Sequence, residues 1–297
     1  MNKIGIITIN YNTEDLLEKF IGCIFKQTFS NWVLTVVNNS PGDDLIKEVI
    51  NKFDDKRLIL LSVNENIGYS KANNLGFKYL LDNKIINEDD IILVSNEDVL
   101  IRDKMLLAKS VKSIKDLKCS FLGPKIINND GTFMFPHLKK VNFLKCLLHM
   151  GNNGLVDKIF GINRSFKKMS SPLKVFLLNG ACFFCRVSDF KRVGMFESNT
   201  FIYYEEEFLF RKVRKLNINV VYDPTIEVYH EHSGSVKKSF NILKKKEFVY
   251  EGELHLLTKE LKVNKFLLSL FKLERSIEFL LMKLLMGIRF LFKKNKQ

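Results

Sequence analysis

Asn96, Glu97 and Asp98 place two carboxylates at the end of an apolar run in the stretch "IILVSNEDVLI", residues 91–101. Burying a charged side chain costs free energy unless the charge is paired or binds a metal. Glu97 and Asp98 are adjacent, so in an extended chain they point to opposite sides. Oxygen ligands suit Mg²⁺ or Mn²⁺, which commonly bridge a protein carboxylate and substrate phosphates. An isolated acidic pair can be a solvated part of a loop, but the buried strand before it favours Asp98 as a metal ligand.

A second acidic group, Glu205, Glu206 and Glu207, opens a helical pattern in "FIYYEEEFLFRKVRK", residues 201–215. Acidic residues are common in the first turn of a helix, where the helix dipole favours negative charge. The aromatic residues before them favour a second role, because a carboxylate beside apolar rings has a raised pKa that suits a general base. Successive helical residues are about 100° apart, so the three glutamates cannot all face one site.

Two histidines, His230 and His232, lie in "VYHEHSGS", residues 228–235. In an extended chain they share a face, as paired ligands do. A lone histidine pair in a loop is more often solvated or hydrogen-bonded, so both interpretations stay open.

Strand and helix patterns alternate through the first half of the chain and must position these residues. The predicted strands are "IGIITIN", "WVLTVVNN", "RLILLSVN" and "DDIILVSN". Helices are predicted over residues 13–26, 43–53 and 71–83, with Thr13 and Ser70 as the N-caps of the first and third. This alternation indicates an α/β fold in which helices cover both faces of a mostly parallel sheet.

Each of these strands stops at asparagine-rich polar residues, at positions 10–12, 38–40, 64–68 and 95–98. Ligands of parallel sheets bind beyond the carboxyl ends of the strands, where loops converge. Four polar endings in succession therefore predict a binding edge.

The composition of the 297 residues, 46% apolar and 27% charged, is typical of a globular domain. The N-terminus does not resemble a signal peptide, and no uncharged apolar stretch reaches the ~18 residues of a membrane span. The single CxxC, Cys182 and Cys185, lies in an apolar strand pattern and is interpreted as reduced core cysteine. These features predict a cytoplasmic protein. The absence of Walker, GxGxxG, GxSxG and HExxH motifs disfavours P-loop ATPases, dehydrogenases and hydrolases.

The net charge of +14 is concentrated at the C-terminus, where residues 236–297 hold fifteen Lys/Arg against six Glu. Residues 266–294 are densely apolar, but Arg275, Lys283 and Arg289 interrupt them too often for a spanning helix. A basic amphipathic helix on the inner-leaflet membrane surface fits this pattern, as does a helix that packs on the catalytic domain or in a homo-oligomer. The sequence lacks a nucleic-acid recognition motif, so no nucleic-acid partner is expected.

In order and spacing, seven stretches resemble the family 2 glycosyltransferases, inverting enzymes with the GT-A fold. They are "IITINYNTEDLLEKFIGCIFKQTF", "VVNNS", "NIGYSKANNLGFKYL", "LVSNEDV", "NGACFFCRVSDFKRVGMFE", "FIYYEEEFLFRKVRK" and "VYHEHSGS". The resemblance covers residues 4–235 and is greatest to the branch that builds bacterial surface polysaccharides, including rhamnosyltransferases.

The resemblance implies a role for nine residues. Those at nucleotide-sugar positions are Tyr11 and Asn38 near the base, Asn66 and Gly68 in the family's NxG loop, and Asn96 at the start of its Asp-x-Asp-like segment. Asp98 would hold Mn²⁺ or Mg²⁺ and His230 would complete the metal or diphosphate site. Glu206 matches the family's catalytic base and Glu205 the acidic residue before it. The chain departs from the family where Asn38 replaces an aspartate and where Glu206 is one methylene longer than the usual aspartate.

The implied activity is transfer of a sugar from a nucleoside-diphosphate sugar, dTDP-rhamnose or a UDP-hexose, to a hydroxyl of a glycan or lipid-linked glycan acceptor. The implied organisation is a GT-A catalytic domain over residues 1–235 and a basic helical extension over residues 236–297. The expected location is the cytoplasm, with peripheral attachment to the membrane left open. A non-catalytic nucleotide-sugar-binding protein with the same fold is the alternative.

Overall fold

A computed structural model describes residues 2–42, 45–134, 136, 140–148, 170–231 and 241–294, with side chains through residue 286. Ten strands lie within these ranges. They are β1 (Ile4–Asn10), β2 (Trp32–Asn38), β3 (Leu58–Ser62), β4 (Ile91–Ser95), β5 (Val99–Leu100), β6 (Phe121–Asn128), β7 (Phe133–Met134), β8 (Leu173–Lys174), β9 (Cys182–Arg186) and β10 (Val220–His230).

The same ranges contain nine α-helices. They are α1 (Glu14–Phe25), α2 (Leu45–Asn51), α3 (Tyr69–Asp82), α4 (Leu106–Asp116), α5 (Phe143–Leu147), α6 (Val187–Arg192), α7 (Glu205–Lys215), α8 (Ile242–His255) and α9 (Lys265–Lys294). A π-helical turn over Leu256–Glu260 follows α8.

The strands form one mixed sheet with the order β3-β2-β1-β4-β9-β6-β10-β5, while β7 pairs with β6 and β8 with β10. The half that the sequence predicts, β3-β2-β1-β4, is parallel throughout. Beyond β4 the sheet becomes mixed, because β9 runs antiparallel to both β4 and β6. The polar ends of β1, β2, β3 and β4 therefore meet at one edge, as the alternation of strands and helices predicts.

Helices cover both faces of the sheet, and each face has its own apolar core. On one face, residues of α1, α2 and α4 such as Phe20, Ile46 and Leu107 pack on the strands. On the other, Phe77 of α3, Phe190 of α6 and Phe210 of α7 do so. Aromatic rings fix α7 in place, since Phe210 makes an edge-on contact with Phe121 at 5.5 Å between ring centroids.

The two predicted helix caps have different outcomes. Thr13 occupies the N-cap position of α1, but its side chain makes no capping hydrogen bond and instead donates to Glu97. The prediction for Ser70 is wrong, because α3 begins at Tyr69 with Gly68 as its N-cap. Ser70 lies inside the helix, buried, with its hydroxyl 3.5 Å from that of Thr200.

The CxxC cysteines lie in β9, in the centre of the sheet, and both are buried. All five cysteines are free thiols. Burial raises the pKa of Cys182 to about 12, so that thiol stays protonated. The interpretation of this motif as reduced core cysteine is confirmed.

The chain divides into two compact units. The first comprises Met1–Lys140 and Asn163–Ser239 and contains the whole sheet. The second comprises Val141–Ile162 and Phe240–Gln297, with α5, α8 and α9 among its described parts. The division near residue 240 lies close to the predicted boundary, but the sequence pattern did not set residues 141–162 apart.

Within the second unit, one face of α9 is buried. Phe271 and Arg275 are almost inaccessible to solvent. The Arg275 guanidinium lies 2.9 Å from a carboxylate oxygen of Glu253 in α8 and donates to the Cys146 carbonyl of α5 at 2.7 Å. Arg275, which the sequence suggested only as an interruption of an apolar run, is therefore the centre of a buried polar cluster.

The opposite face of α9 is apolar and exposed. Its exposed residues recur every three or four positions: Phe266, Leu270, Leu273, Ile277, Leu280, Leu281, Leu284 and Leu285. The exposed cations Lys265, Lys272 and Lys283 lie among them. Among the described residues, no helix combines the length and the apolar character needed to cross a membrane.

Candidate active site

The ends of β1 and β2 are held together by backbone and side-chain hydrogen bonds. Asn10 and Asn38 are register partners in the parallel pair, and the Asn39 N–H donates to the Asn10 carbonyl at 2.9 Å. The Asn12 N–H donates to the Ser40 hydroxyl at 2.8 Å, and the Ser40 N–H donates to the Asn38 side-chain oxygen at 3.0 Å. The side-chain oxygen of Asn38 thus shapes the turn in which the residue lies.

The loop after β3 joins this edge through Asn39. Its amide donates to Asn66 Oδ1 at 2.8 Å, and its Oδ1 accepts from the Ile67 N–H at 3.0 Å. Asn66 Oδ1 also accepts from the Gly68 N–H at 3.0 Å. Gly68 has φ +80°, and a Cβ at that position would lie 2.5 Å from the Phe201 carbonyl oxygen. Only glycine fits there, because of both its conformation and its surroundings.

The Asn96–Asp98 segment follows β4, as the sequence predicts. The Asn96 N–H donates to the Ala181 carbonyl at 2.9 Å. Asp98 is buried, and its Oδ1 lies 3.0 Å from His230 Nε2 at the end of β10. No donor among the described residues makes a hydrogen bond of normal geometry to that oxygen. The structure therefore brings Asp98 and His230 together, although they are distant in sequence.

Glu97 faces the opposite way from Asp98, as expected for adjacent residues near a strand end. It accepts hydrogen bonds from the Thr13 hydroxyl and the Tyr11 N–H. Burial, together with the nearby charge of Asp98, raises the pKa of Glu97 well above its ordinary value, while the hydrogen bonds oppose the shift. Glu97 therefore connects the end of β4 with the loop after β1 that carries Tyr11.

The three glutamates at the start of α7 point in three directions. Glu205 is buried, and its Oε2 accepts no hydrogen bond from the described residues. Glu206 Oε1 accepts from the Gly180 N–H at 2.9 Å. Glu207 forms a buried ion pair with Arg211 at 2.7 Å, one helical turn on. Glu207 is therefore part of the helix structure, whereas Glu205 and Glu206 remain candidates for chemistry.

The backbone just before these glutamates is strained. Tyr203 and Tyr204 both have positive φ, 71° and 66°, a conformation that non-glycine residues rarely adopt. Two consecutive residues of this kind persist only where the surroundings determine them, and they are often found at functional sites.

Burial raises the pKa of both candidate glutamates. For Glu205, burial is the largest cause and the neighbouring Glu206 adds to it, so the pKa lies well above the ordinary value. For Glu206, burial again raises the pKa, while the Gly180 N–H partly offsets the effect. A carboxylate with a raised pKa is a stronger base than a solvated one.

Gly180 and Ala181 link the acidic residues of α7 with the segment after β4. Gly180 donates to Glu206, and the Ala181 carbonyl accepts from Asn96. A Cβ at position 180 would lie 2.5 Å from Glu206 Oε1, so a larger residue here would displace the Glu206 side chain. The sequence pattern showed "NGACFFCR" as an apolar strand, but it did not single out Gly180 or Asn39. A glycine just before a strand was the available signal for Gly180.

No group of three or more His, Cys, Asp or Glu side chains among the described residues has the arrangement of a metal site. The structure does pair Asp98 with an imidazole nitrogen of His230, and Oδ1 of that buried carboxylate accepts no hydrogen bond from the described residues. This donor set fits a divalent cation whose remaining ligands are phosphate oxygens and water. The other candidate histidine, His232, lies outside the described residues.

The pattern described as Glycosyl transferase family 2 matches residues 5–194, more than half of the chain. The chain therefore belongs to glycosyl transferase family 2. The match includes Tyr11, Asn38, Gly68 and Asp98, whereas Glu206 and the rest of α7 lie beyond it. The resemblance found in the sequence is confirmed, and a non-catalytic binding protein is not favoured.

The names of two relatives indicate that they act in glycan synthesis. The UDP-Glc:alpha-D-GlcNAc-diphosphoundecaprenol beta-1,3-glucosyltransferase WfgD of Escherichia coli is 27% identical over 151 residues, 50% of this chain and 56% of that protein. The N-acetylglucosaminyl-diphospho-decaprenol L-rhamnosyltransferase of Mycobacterium tuberculosis is 24% identical over 242 residues, 77% of this chain and 76% of that protein. The chain thus spans little more than half the length of WfgD.

Among solved structures, the mannosyltransferase PcManGT from Pyrobaculum calidifontis, in complex with GDP-Man and Mn²⁺, has a similar fold. The TM-score is 0.58 at 13% sequence identity, over 89% of this chain and 65% of that one. The expected GT-A fold, a central sheet flanked by helices, is confirmed.

Proposed function

We propose that this family 2 member transfers a sugar from a nucleoside-diphosphate sugar to a hydroxyl of a lipid-linked glycan, with inversion at the anomeric carbon. The observation that carries the proposal is Glu206, a carboxylate with a raised pKa held by the Gly180 N–H. Ala181, the residue after Gly180, accepts a hydrogen bond from the Asn96 N–H in the Asp-x-Asp-like segment. A base beside a diphosphate-binding segment is what a single displacement requires.

The donor occupies the polar edge formed by the ends of β1, β2 and β4 and by the loop after β3. Tyr11 and Asn38 contact the nucleotide base, and Asn66, Gly68 and Asn96 contact the sugar and diphosphate. The hydrogen bonds between Asn39, Asn66 and Ile67 support this assignment, because they hold the loops in one arrangement before a donor binds. Preorganised groups lose less conformational entropy on binding.

Asp98 and His230 would hold a divalent cation, Mn²⁺ or Mg²⁺, at the diphosphate. Such a cation neutralises negative charge that develops on the leaving group. Mn²⁺ is the better candidate, because a histidine ligand suits it better than Mg²⁺ and PcManGT was solved with Mn²⁺.

Glu206 accepts the proton of the acceptor hydroxyl. The freed oxygen forms a bond to the anomeric carbon on the face opposite the diphosphate, and the bond from that carbon to the diphosphate oxygen breaks. One displacement from the opposite face inverts the configuration. The raised pKa of Glu206 supports the role, because a general base works best when its pKa approaches the working pH. Burial is the largest cause of that raised pKa, and the nearby charge of Glu207 adds to it.

The donor is dTDP-rhamnose or a UDP-hexose, and the reaction takes place in the cytoplasm. The names of the two relatives support the choice of sugars, one being a rhamnosyltransferase and the other a UDP-Glc-dependent glucosyltransferase. Both names also describe diphospho-polyprenol acceptors, which supports a lipid-linked acceptor for this chain.

The direct test combines a thermal-shift screen and a transfer assay with UDP-, dTDP- and GDP-sugars, each with and without Mn²⁺. One donor should raise Tm in the presence of Mn²⁺ and then transfer its sugar to a synthetic polyprenyl-diphosphate sugar. Inversion is read from the anomeric proton coupling of the product. A donor that binds but is neither transferred nor hydrolysed would contradict the enzyme assignment.

We also assign the exposed face of α9 to an anionic membrane surface. The face is apolar along its described length, and the surplus of basic residues in 236–297 complements anionic lipids. Two copies of so basic a segment would repel each other, which disfavours a homo-oligomer through this face. Membrane attachment would place the active site close to a lipid-linked acceptor.

Vesicle flotation tests this assignment. Leu273→Glu/Leu280→Glu adds two charges to the apolar face, and Ser269→Glu/Ser276→Glu adds the same charge at other exposed positions of the helix. The wild type and the serine pair should float with vesicles rich in phosphatidylglycerol, and the leucine pair should not. Equal flotation of all three, or a lipid-independent dimer that only the leucine pair dissociates, would contradict it.

A further inference from the structure

Residue Gly180 lies between two side chains that hydrogen-bond to its backbone. Its N–H donates to Glu206 Oε1 at 2.9 Å, and its carbonyl accepts from the Tyr69 hydroxyl at 2.7 Å. The N–H belongs to the peptide group that joins Asn179 to Gly180, and the carbonyl belongs to the one that joins Gly180 to Ala181. The Tyr69 hydroxyl and the Glu206 carboxylate therefore bind adjacent peptide groups that meet at one Cα.

The lack of a side chain at Gly180 lets the Glu206 carboxylate lie close to its backbone. A Cβ on residue 180 would lie 2.5 Å from Glu206 Oε1 and 2.9 Å from its Cδ. The Asn179 side chain accepts from the Ala181 N–H at 2.9 Å and fixes the following peptide. The direction of the Gly180 N–H consequently determines where the Glu206 carboxylate lies.

Two further contacts hold Tyr69 itself. It is the first residue of α3, directly after Gly68 in the proposed donor loop. Its N–H donates to the Phe201 carbonyl at 2.8 Å, and its ring packs edge-on against Phe196 at 5.6 Å between centroids. These contacts fix the ring, so its hydroxyl stays directed at the Gly180 carbonyl.

We propose that Tyr69 is a positioning residue, whose hydroxyl orients the backbone of Gly180 and thereby aims the Glu206 carboxylate at the acceptor hydroxyl. This inference rests on the proposed function of Glu206 as the base. It also links the two substrates, because Tyr69 follows the loop assigned to the donor while Glu206 acts on the acceptor.

The pH dependence of turnover reports on this arrangement. The charged and titratable groups around Glu206 are Glu205, Glu207 with its partner Arg211, and Tyr69. Removing the Tyr69 hydroxyl releases the Gly180 backbone, so the bond from its N–H to Glu206 lengthens, the carboxylate is less stabilised and its pKa rises further. The acidic limb of the kcat profile should then move to higher pH.

Tyr69→Phe is the test, since it keeps the ring and removes one hydrogen bond. The expected result is a fall in kcat of about tenfold, a donor KM changed by less than about twofold, and an acidic limb at higher pH. Tyr79→Phe, the same substitution ten residues further along α3, should leave all three unchanged. Unaltered kcat and pH limb in Tyr69→Phe, or a loss confined to donor KM, would overturn the inference.

Gly180→Ala provides a second variant, because the added methyl must displace the carboxylate. Its kcat should fall further than that of Tyr69→Phe, whereas Gly22→Ala, in open space on α1, should not change it. The pKa of Glu206, followed by ¹³C NMR of labelled glutamate and assigned with Glu206→Gln, needs no turnover. A wild type without transfer activity refutes the proposed function. A Glu206 pKa that Tyr69→Phe leaves unchanged refutes the positioning role.

Discussion

The loops after β1, β2 and β3 and the carboxylates after β4 and at the start of α7 are both polar and largely buried, but their hydrogen bonding differs. Asn39 and Asn66 carry both donors and acceptors, so they bind one another and the backbone. Glu205 and Asp98 carry only acceptors when ionised, and each keeps an oxygen without a hydrogen bond from the described residues. The amide loops can hold their shape without a ligand, whereas the carboxylates need a proton or a cation, at a cost in stability.

Glu206→Gln should produce the largest effect on the acidic side of this comparison. The glutamine oxygen can still accept from the Gly180 N–H, but the side chain can no longer take a proton. We expect kcat to fall about 10²–10⁴-fold, with donor affinity by calorimetry nearly unchanged. Glu88→Gln, at an exposed position, is the control. Near-normal turnover would remove Glu206 from the role of base.

Asp98→Asn should separate donor binding from the integrity of the amide loops. The substitution keeps the size of the side chain and removes its charge beside His230. We expect donor affinity in the presence of Mn²⁺ to fall by about 10- to 100-fold, and the residual binding to be the same with and without Mn²⁺. Asp116→Asn, a surface position paired with Lys112, should retain the Mn²⁺ response. An intact Mn²⁺ response in Asp98→Asn would refute the metal assignment.

Asn39→Ala should weaken donor binding without affecting the chemical step. It removes the hydrogen bonds to Asn66 and Ile67 that hold the donor loop. We expect the donor KM to rise about tenfold while kcat changes by less than about twofold. Asn83→Ala, at the exposed end of α3, should leave both constants unchanged. A loss of kcat at constant KM would mean that the two regions are not separable.

Glu205→Gln should have the smallest effect, on stability and in a pH-dependent way. Burial and Glu206 raise the pKa of Glu205 well above its ordinary value of 4.5, so the folded chain binds more protons than the unfolded chain between those two pKa values. The free energy of unfolding therefore falls as pH rises across this window. Glutamine removes that loss, so Tm at pH 8 should increase by about 2 °C, and the gain should shrink toward pH 5.

Glu207→Gln supplies the contrast within the same turn of α7. It leaves Arg211 buried without its carboxylate partner, so Tm should fall at pH 8 rather than rise. Scanning calorimetry of both variants at several pH values checks the pair. If Tm changed in the same direction for both variants, the ion pair with Arg211 would not be what distinguishes Glu207 from Glu205.

The sequence predicted the parallel half of the fold well. Continuous apolar strands that alternate with amphipathic helices leave few arrangements open, so β1–β4 and their polar ends could be foreseen. The antiparallel insertion of β9 between β4 and β6 could not, because strand direction depends on distant pairing and not on the local pattern. The prediction of Ser70 as a cap was wrong because α3 already starts at Tyr69, directly after Gly68 with its positive φ.

The candidate site was predicted in part. Asp98 could be named from the buried strand before it, whereas the choice of His230 over His232 rested on family resemblance. Because more than one hundred residues separate Asp98 and His230, their pairing is seen only in the fold. The three glutamates could not be assigned by local rules, because what separates them is the neighbour of each: the Gly180 N–H for Glu206 and Arg211 for Glu207. Their roles in catalysis remain predictions.

The buried Arg275 has a consequence for anyone who shortens this chain. A protein that ends before residue 265 would lose the guanidinium, so Glu253, almost fully buried in the intact chain, would lose this ion-pair partner. The Cys146 carbonyl would lose its donor at the same time. Such a truncation would destabilise the second unit as well as remove the apolar face of α9. If the truncated protein were insoluble or inactive, that result would not show whether this face binds lipids. Soluble versions are better made by replacing leucines on the outer face of α9 and keeping the arginine.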